Sequence, residues 1–268
     1  MGSTSIKCDI FGECRSKTNC ETCKNGTFFY RCGNLNTERY YSRALEVATS
    51  YSFDQLNFRP RDNWDFYKER VKNEDKGEAC QDCRKEDEIT EAFECRCAYL
   101  CGNGKCAKGG KDKIWGGSKF EILYYQLPIS KDYSGKVDLV LWEKGTKNIF
   151  LTEYKPNRTQ SPERLLRMIC EIVTYRSSAT QGCLQFFNEK FKDKRFKEKI
   201  VSIAEENIHT AIMFNEFGDD KKSSSPQKAE YEKKNATIEA LLKKHHVCVF
   251  ELKESRDIIM LEDNRVNQ

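Results

Sequence analysis

Histidine is scarce in this chain: there are three in 268 residues, and none lies among the cysteines. Any metal site built in the cysteine clusters is therefore expected to be all-thiolate. Long apolar runs are also missing. No stretch approaches the ~20 residues that cross a bilayer, and the N-terminus lacks the apolar core of a signal peptide. With 33% charged residues and a mean hydropathy of −0.77, the expectation is a soluble, intracellular protein with no membrane partner. It would be cytoplasmic or nucleoid-associated, with a nuclear location left open. A large excess of one charge is absent too. A net charge of +4 permits nucleic-acid binding without requiring it, because a binding groove needs local clustering rather than bulk excess. There is no internal repeat. The length suffices for a real core and one or two domains.

Cysteine, by contrast, is abundant. Of fourteen, eleven precede residue 107, and Cys170, Cys183 and Cys248 lie scattered in later apolar segments, where they read as small core residues. Clustered cysteines without a leader read as metal ligands rather than disulfides. Cys20-x-x-Cys23 before Lys24-Asn25-Gly26 is a thiolate knuckle, and Cys8 and Cys14 could complete its site, leaving Cys32 spare or alternative. Cys80-x-x-Cys83 is followed by Cys95, Cys97, Cys101 and Cys106: six cysteines in 27 positions. These make one four-thiolate site with two left over, or, with the first set, two or three sites. The ion expected is Zn²⁺, in groupings the spacing leaves open. No Cys-x-x-Cys falls between a strand and a helix, as thioredoxin-like redox chemistry would need.

The stretch from Gly135 to Asn157 organises the rest. Two apolar runs, Val137–Trp142 and Ile149–Tyr154, flank a turn holding Lys144-Gly145 and Lys147-Asn148, which predicts a hairpin. Glu153 and Lys155 are two apart and so project to one face. If Asp138 on the neighbouring strand points the same way, two carboxylates and an ammonium converge. Such a set suits metal-assisted phosphodiester hydrolysis: Mg²⁺ (or Mn²⁺) takes one or two carboxylates plus substrate phosphate, and the lysine steadies water or developing charge. The alternative is a surface ion pair at a strand end, worth little.

Gly135-x-x-Asp138 followed by Glu153-Tyr154-Lys155 resembles the PD-(D/E)xK nuclease superfamily, with Val137 standing where the name-giving proline would be. The resemblance implies a restriction-endonuclease-like α/β fold, a mixed central sheet flanked by helices, here joined to a cysteine-rich metal-binding lobe. It implies Asp138 and Glu153 as Mg²⁺ ligands, Lys155 as a catalytic group and Glu38, on the first core helix, as a further acidic candidate. For Glu38 a surface residue complementing the helix dipole is an equal reading. Some exonuclease-type members carry an iron–sulfur cluster, the rival to zinc. Their cysteines flank the nuclease core on both sides, whereas these gather on one side, which favours zinc. In some branches the helix after the hairpin carries a Gln-x-x-x-Tyr pair near the active site. Here Glu171-x-x-x-Tyr175 keeps the spacing without the glutamine.

Around the hairpin the chain divides into a cysteine-rich segment (1–35), a first core helix (36–53), a cysteine-rich insertion (54–118), an α/β core (119–255) and a polar tail (256–268). The first helix should bury Tyr41, Ala44, Leu45 and Ala48 and leave Glu46 in solvent. A strand is expected at 119–127. Ser161-Pro162-Glu163 should open a helix that buries Leu165, Leu166, Ile169, Ile172 and Val173. Its opposite stripe, Arg164, Arg167, Glu171 and Tyr175, is expected to face solvent; Arg164, Arg167 and Tyr175 there are the candidate nucleic-acid contacts. The basic, Phe-rich segment 184–206 offers further phosphate contacts. A strand at 208–214 carries His209 as a core or strand-edge residue, a helix spans 229–244, and a last strand spans 246–252. Antiparallel pairing early and crossover helices later predict a mixed sheet with helices on both faces.

The function expected is a divalent-metal-dependent nuclease acting on DNA, with a homodimer as a possible form. A catalytically silent module of the same fold that binds nucleic acid or protein is the alternative. For the cysteine lobe, Cys20→Ser or Cys83→Ser should lower zinc content and solubility, because metal-binding energy is folding energy in such sites. Elemental analysis and visible absorption check this. Zinc-free protein, or protein brown with iron, rejects the assignment.

Overall fold

The computed structural model describes residues 6–8, 12–14, 38–50, 119–128, 136–155, 164–176, 204–216, 223–253, 255 and 257–266. Of the cysteine ligand candidates, only Cys8 and Cys14 fall within these. Cys20, Cys23, Cys80, Cys83, Cys95, Cys97, Cys101 and Cys106 lie outside, as does most of the basic segment 184–206. Strands β1 (Ile6–Cys8) and β2 (Gly12–Cys14) form an antiparallel ribbon in which Cys8 pairs with Gly12 and Cys14 with Ile6. Helix α1 follows (Glu38–Ser50). Ala44, Leu45 and Ala48 are buried on its inner stripe and Glu46 is exposed, as its periodicity requires.

The core is one six-stranded sheet. Its strands are β3 (Phe120–Pro128), β4 (Lys136–Glu143), β5 (Ile149–Tyr154), β6 (Ile208–Asn215), β7 (Val247–Leu252) and β8 (Ile258–Glu262), side by side in chain order. β3, β4 and β5 pair antiparallel through short connections. β5, β6 and β7 pair parallel through helical crossovers, and β8 returns antiparallel, so the sheet is mixed. The crossovers are α2 (residues 165–176) and the pair α3 (Pro226–Glu232) and α4 (Ala236–Lys244). The β4–β5 turn forms where Gly145 takes φ +79°, which a side chain would resist, and where Trp142 Nε1 donates to Thr146 O at 2.9 Å.

Among the described residues the helices lie on one face of the sheet. The other face carries Phe120, Ile122, Leu139, Leu141, Phe150, Tyr154, Met213, Phe250 and Ile258, a cluster that among the described residues is drawn from all six strands and from no helix. Phe120 on β3 meets Phe250 on β7 edge-on at 5.0 Å, and Phe250 meets Phe150 likewise at 5.1 Å. Residues four strands apart touch only because the sheet curls. The irregularity between Ile122 and Tyr124 helps, since a bulge bends and twists its strand. Each edge-to-face pair adds about 0.5–1.5 kcal/mol beyond area burial. Two successive right-handed crossovers stepping in the same direction land on the same side, so the described helices share the face opposite this cluster. There Phe214 packs on Tyr231 of α3, and the carboxylate of Glu230 on α3 accepts from the Leu165 amide (3.1 Å) and from the Tyr41 hydroxyl, tying α3 to α2 and α1.

Two local expectations need correction. The helix expected over 229–244 is two helices. Ser225 caps α3 ahead of Pro226, Asn235 caps α4, and Lys234 between them takes φ +51°. The polar tail is not a tail: β8 is the sixth strand, and residues 263–266 continue past it to the far side of the sheet. Arg265 reaches Glu143 at 2.8 Å and stacks over Phe150. Burial alone would push the Glu143 carboxyl up, but hydrogen bonds from Asn148, Lys119 and Arg265 together hold it below its usual range. No helix among the described residues is long and apolar enough to cross a membrane.

This closure yields a prediction. Arg265→Ala removes a charged donor from a nearly buried carboxylate and should cost on the order of 1–3 kcal/mol, read by chemical denaturation. A variant as stable as the parent would show that the strap contributes nothing to the curl.

Candidate active site

Strand pairing brings the hairpin charges together. Leu139 lies opposite Thr152, so Asp138 falls opposite Glu153, one step further along the ladder. Both project to the helix-covered face, because the alternate residues Leu139, Leu141, Phe150 and Tyr154 fill the aromatic face. Asp138 is held in place by the Tyr154 amide, which donates to its Oδ2 at 3.0 Å. Tyr154 is itself anchored where its hydroxyl donates to Asn215 at 2.8 Å. Glu153 is 0% exposed. Lys155, just past the end of β5, turns back over the same point: its ammonium contacts Glu153 directly and lies 3.6 Å from Asp138.

A third carboxylate joins them from α2. Glu171 Oε2 lies 3.4 Å from the Lys155 ammonium, and the Tyr175 hydroxyl donates to Glu171 Oε1 at 2.8 Å. The expectation of a solvent-facing stripe fails for these two residues, which are 8% and 2% exposed. The apolar stripe of α2 is buried as expected, from Leu165 to Val173. The reason for the failure is geometric. The polar stripe of α2 meets the charged end of β4 and β5, so polar side chains there find partners rather than water. The signal was present as Glu-x-x-x-Tyr at helical spacing, but spacing alone does not say what the stripe meets.

The other candidates separate. Arg164 lies over the Tyr41 ring at 4.2 Å, and Arg167 is half-buried. Tyr175 is engaged with Glu171 inside the fold rather than displayed to a surface ligand. Glu38 is in the first turn of α1, and its side chain lies outside the description. His209 sits at the opposite end of the sheet at the start of β6, with Nε2 3.3 Å from Asn148 Oδ1. Burial and the nearby Arg265 and Arg176 lower its pKa to about 4. It is neutral at neutral pH and lies at the end of an interior strand. Cys170 and Cys248 are buried core thiols.

The electrostatics of the cluster are unfavourable without a further cation. Burial is the main cause that raises both Asp138 and Glu153 above ordinary carboxyl values. For Glu153 the charges of Asp138 and Glu171 add to it, and the pull of Lys155 does not cancel them. Neither Glu153 oxygen has a hydrogen-bond donor in conventional geometry, and Glu171 Oε2 has none either. The Asp138–Glu153 contact is a hydrogen bond only while one carboxyl keeps its proton. Hard carboxylate oxygens are the donor set that Mg²⁺ or Mn²⁺ prefers. Among the described residues no three Asp, Glu, His or Cys side chains converge as a ready-made ligand set; the three carboxylates surround the Lys155 ammonium instead. The chemistry fits a divalent ion, with Lys155 standing in as the cation between the oxygens.

No family model, curated protein or solved structure matches the chain. The resemblance to PD-(D/E)xK nucleases therefore rests on the sequence motif alone.

The raised carboxyls set a pH dependence. Unfolded Asp and Glu ionise near ~4, below their folded values here, so the stability they contribute is full in acid and is lost as pH rises through the folded values. Without added metal, Glu153→Gln should escape that loss. At neutral pH in chelator it should melt above the parent by about 2–4 °C, the shift that ~1 kcal/mol makes in a domain of this size, with the gap closing toward pH 4. Thermal melts across pH check this, and a variant that tracks the parent at every pH counts against the buried-charge account.

Proposed function

We propose that this protein is a divalent-metal-dependent nuclease that hydrolyses phosphodiester bonds in DNA. In this reading its core is restriction-endonuclease-like and its cysteine-rich lobe binds Zn²⁺ structurally. The observation that carries the reading is the convergence of Asp138, Glu153 and Lys155 on one point, from two strands and with little solvent. A surface ion pair leaves its carboxylates in water, whereas Glu153 is fully buried beside a second carboxylate with the Lys155 ammonium in contact. The mixed sheet order, antiparallel then parallel, also supports it.

Asp138 and Glu153 hold Mg²⁺ or Mn²⁺. The ion, when bound, supplies a hydroxide-like nucleophile and offsets charge on the phosphate oxygens. The Tyr154 amide keeps Asp138 oriented, which matters because a ligand carboxylate free to rotate binds less tightly. Lys155, partly exposed at the rim, orients water and steadies the charge developing on phosphate. An intracellular protein and a homodimer that pairs two such sites for duplex cutting accord with this reading.

The test is metal titration, nucleic-acid binding and cleavage on Asp138→Asn, Glu153→Gln and Lys155→Met, with single- and double-stranded DNA and RNA. Loss of either carboxylate should weaken both metal affinity and turnover. Lys155→Met should leave metal affinity unchanged or improved, since it removes the competing cation, while cleavage falls by about 10²-fold or more. Nucleic-acid binding should survive, because affinity rests on many phosphate contacts. Cleavage by Lys155→Met at the parent rate under saturating Mg²⁺ rejects the nuclease and leaves a silent binding module.

A further inference from the structure

The assignment of Asp138, Glu153 and Lys155 leaves α2 without a role, yet α2 brings a charged group into the same volume. The two oxygens of Glu171 are treated differently. Oε1 is fixed by the Tyr175 hydroxyl at 2.8 Å, whereas Oε2 is buried, faces the Lys155 ammonium at 3.4 Å and accepts no hydrogen bond. Tyr175 is one helical turn beyond Glu171, and side chains on a helix lean toward its N-terminus, so the phenol reaches back onto the carboxylate. α2 is itself positioned independently of the site, since the Glu230 carboxylate caps it at the Leu165 amide.

We propose that Glu171 is a third metal-facing carboxylate of this site and that Tyr175 positions it, with Oε2 as the metal-facing oxygen. The inference rests on the metal-centre reading of Asp138 and Glu153. Charge balance favours it. Three carboxylates and one ammonium carry a net charge of −2 when ionised, which one divalent ion neutralises. Two carboxylates and the lysine would leave the loaded site with net positive charge. Glu153 is fully inaccessible, and beyond the Lys155 ammonium in contact with Oε1 neither of its buried oxygens accepts a hydrogen bond of conventional geometry, so one lysine serves three buried carboxylates. A purely structural Glu171, present only to pair with Lys155, makes a different demand: its loss should loosen the metal-free fold and leave metal affinity alone.

The experiment is calorimetric titration of Mn²⁺ alone into the metal-free full chain, paired with melting temperature in chelator. The variants are Glu171→Gln and Tyr175→Phe, with Asp138→Asn as the positive control and Glu46→Gln, on the exposed face of α1, as the negative one. Glu171→Gln should weaken Mn²⁺ binding about tenfold or more while its metal-free melting temperature holds or rises. Tyr175→Phe, which keeps the carboxylate, should weaken binding by about tenfold, the scale of losing a group that orients a ligand. If Asp138→Asn loses affinity but Glu171→Gln and Tyr175→Phe do not, this inference is overturned and the metal centre stands. If the parent binds no Mn²⁺, both fall. Should Glu171→Gln fail to fold, Tyr175→Phe decides alone, and unchanged affinity there overturns the proposal.

Discussion

A carboxylate at the end of a fully buried strand constrains the rest of this fold. β5 is enclosed on both faces along its whole length, by the curled aromatic cluster on one and by helices on the other. An apolar strand gains from that enclosure, but Glu153 does not: desolvating an ion costs several kcal/mol even after relaxation. The cost is tolerable only where opposite charge converges. The chain just past β5 brings the Lys155 ammonium, while β4 brings Asp138, a second carboxylate. α2 adds Glu171, which increases the negative charge rather than relieving it.

That excess makes the cluster unlike a structural ion pair. A strand end built for stability would match carboxylates with cations, as the opposite end of the sheet does. There Glu143 is met by Lys119, Arg265 and Asn148, and its carboxyl is held below its usual range rather than above. On β7, one strand in from the edge, Glu251 is likewise buried but sits between the ammonium groups of Lys228 and Lys253. Of these three buried glutamates, only Glu153 is surrounded mainly by its own sign of charge. Under the nuclease reading proposed above, local destabilisation of this kind is what a metal ion would relieve.

Local chemistry in the sequence determined much of the architecture. The β4–β5 hairpin follows from β-branched and aromatic runs around a Lys-Gly turn, and alternation along β5 placed Glu153 and Lys155 together. The apolar stripes of α1 and α2, at helical spacing, identified their buried faces. These features depend on residues within a few positions of one another, so a single chain displays them.

Tertiary structure decided the rest, because a polar residue does not announce what it will face. Glu171 and Tyr175 read as a solvated stripe, since polarity and period are identical whether the opposing surface is water or a buried charge cluster. Only the packing of α2 across the end of β5 distinguishes the two. The chain beyond residue 255 read as a polar tail because β8 is an edge strand whose outer side chains face solvent; its pairing with β7 and the Arg265 contact 122 residues away from Glu143 are long-range facts. The placement of the described helices on one face likewise came from crossover handedness and strand curl, which belong to the assembled sheet and to no segment of it.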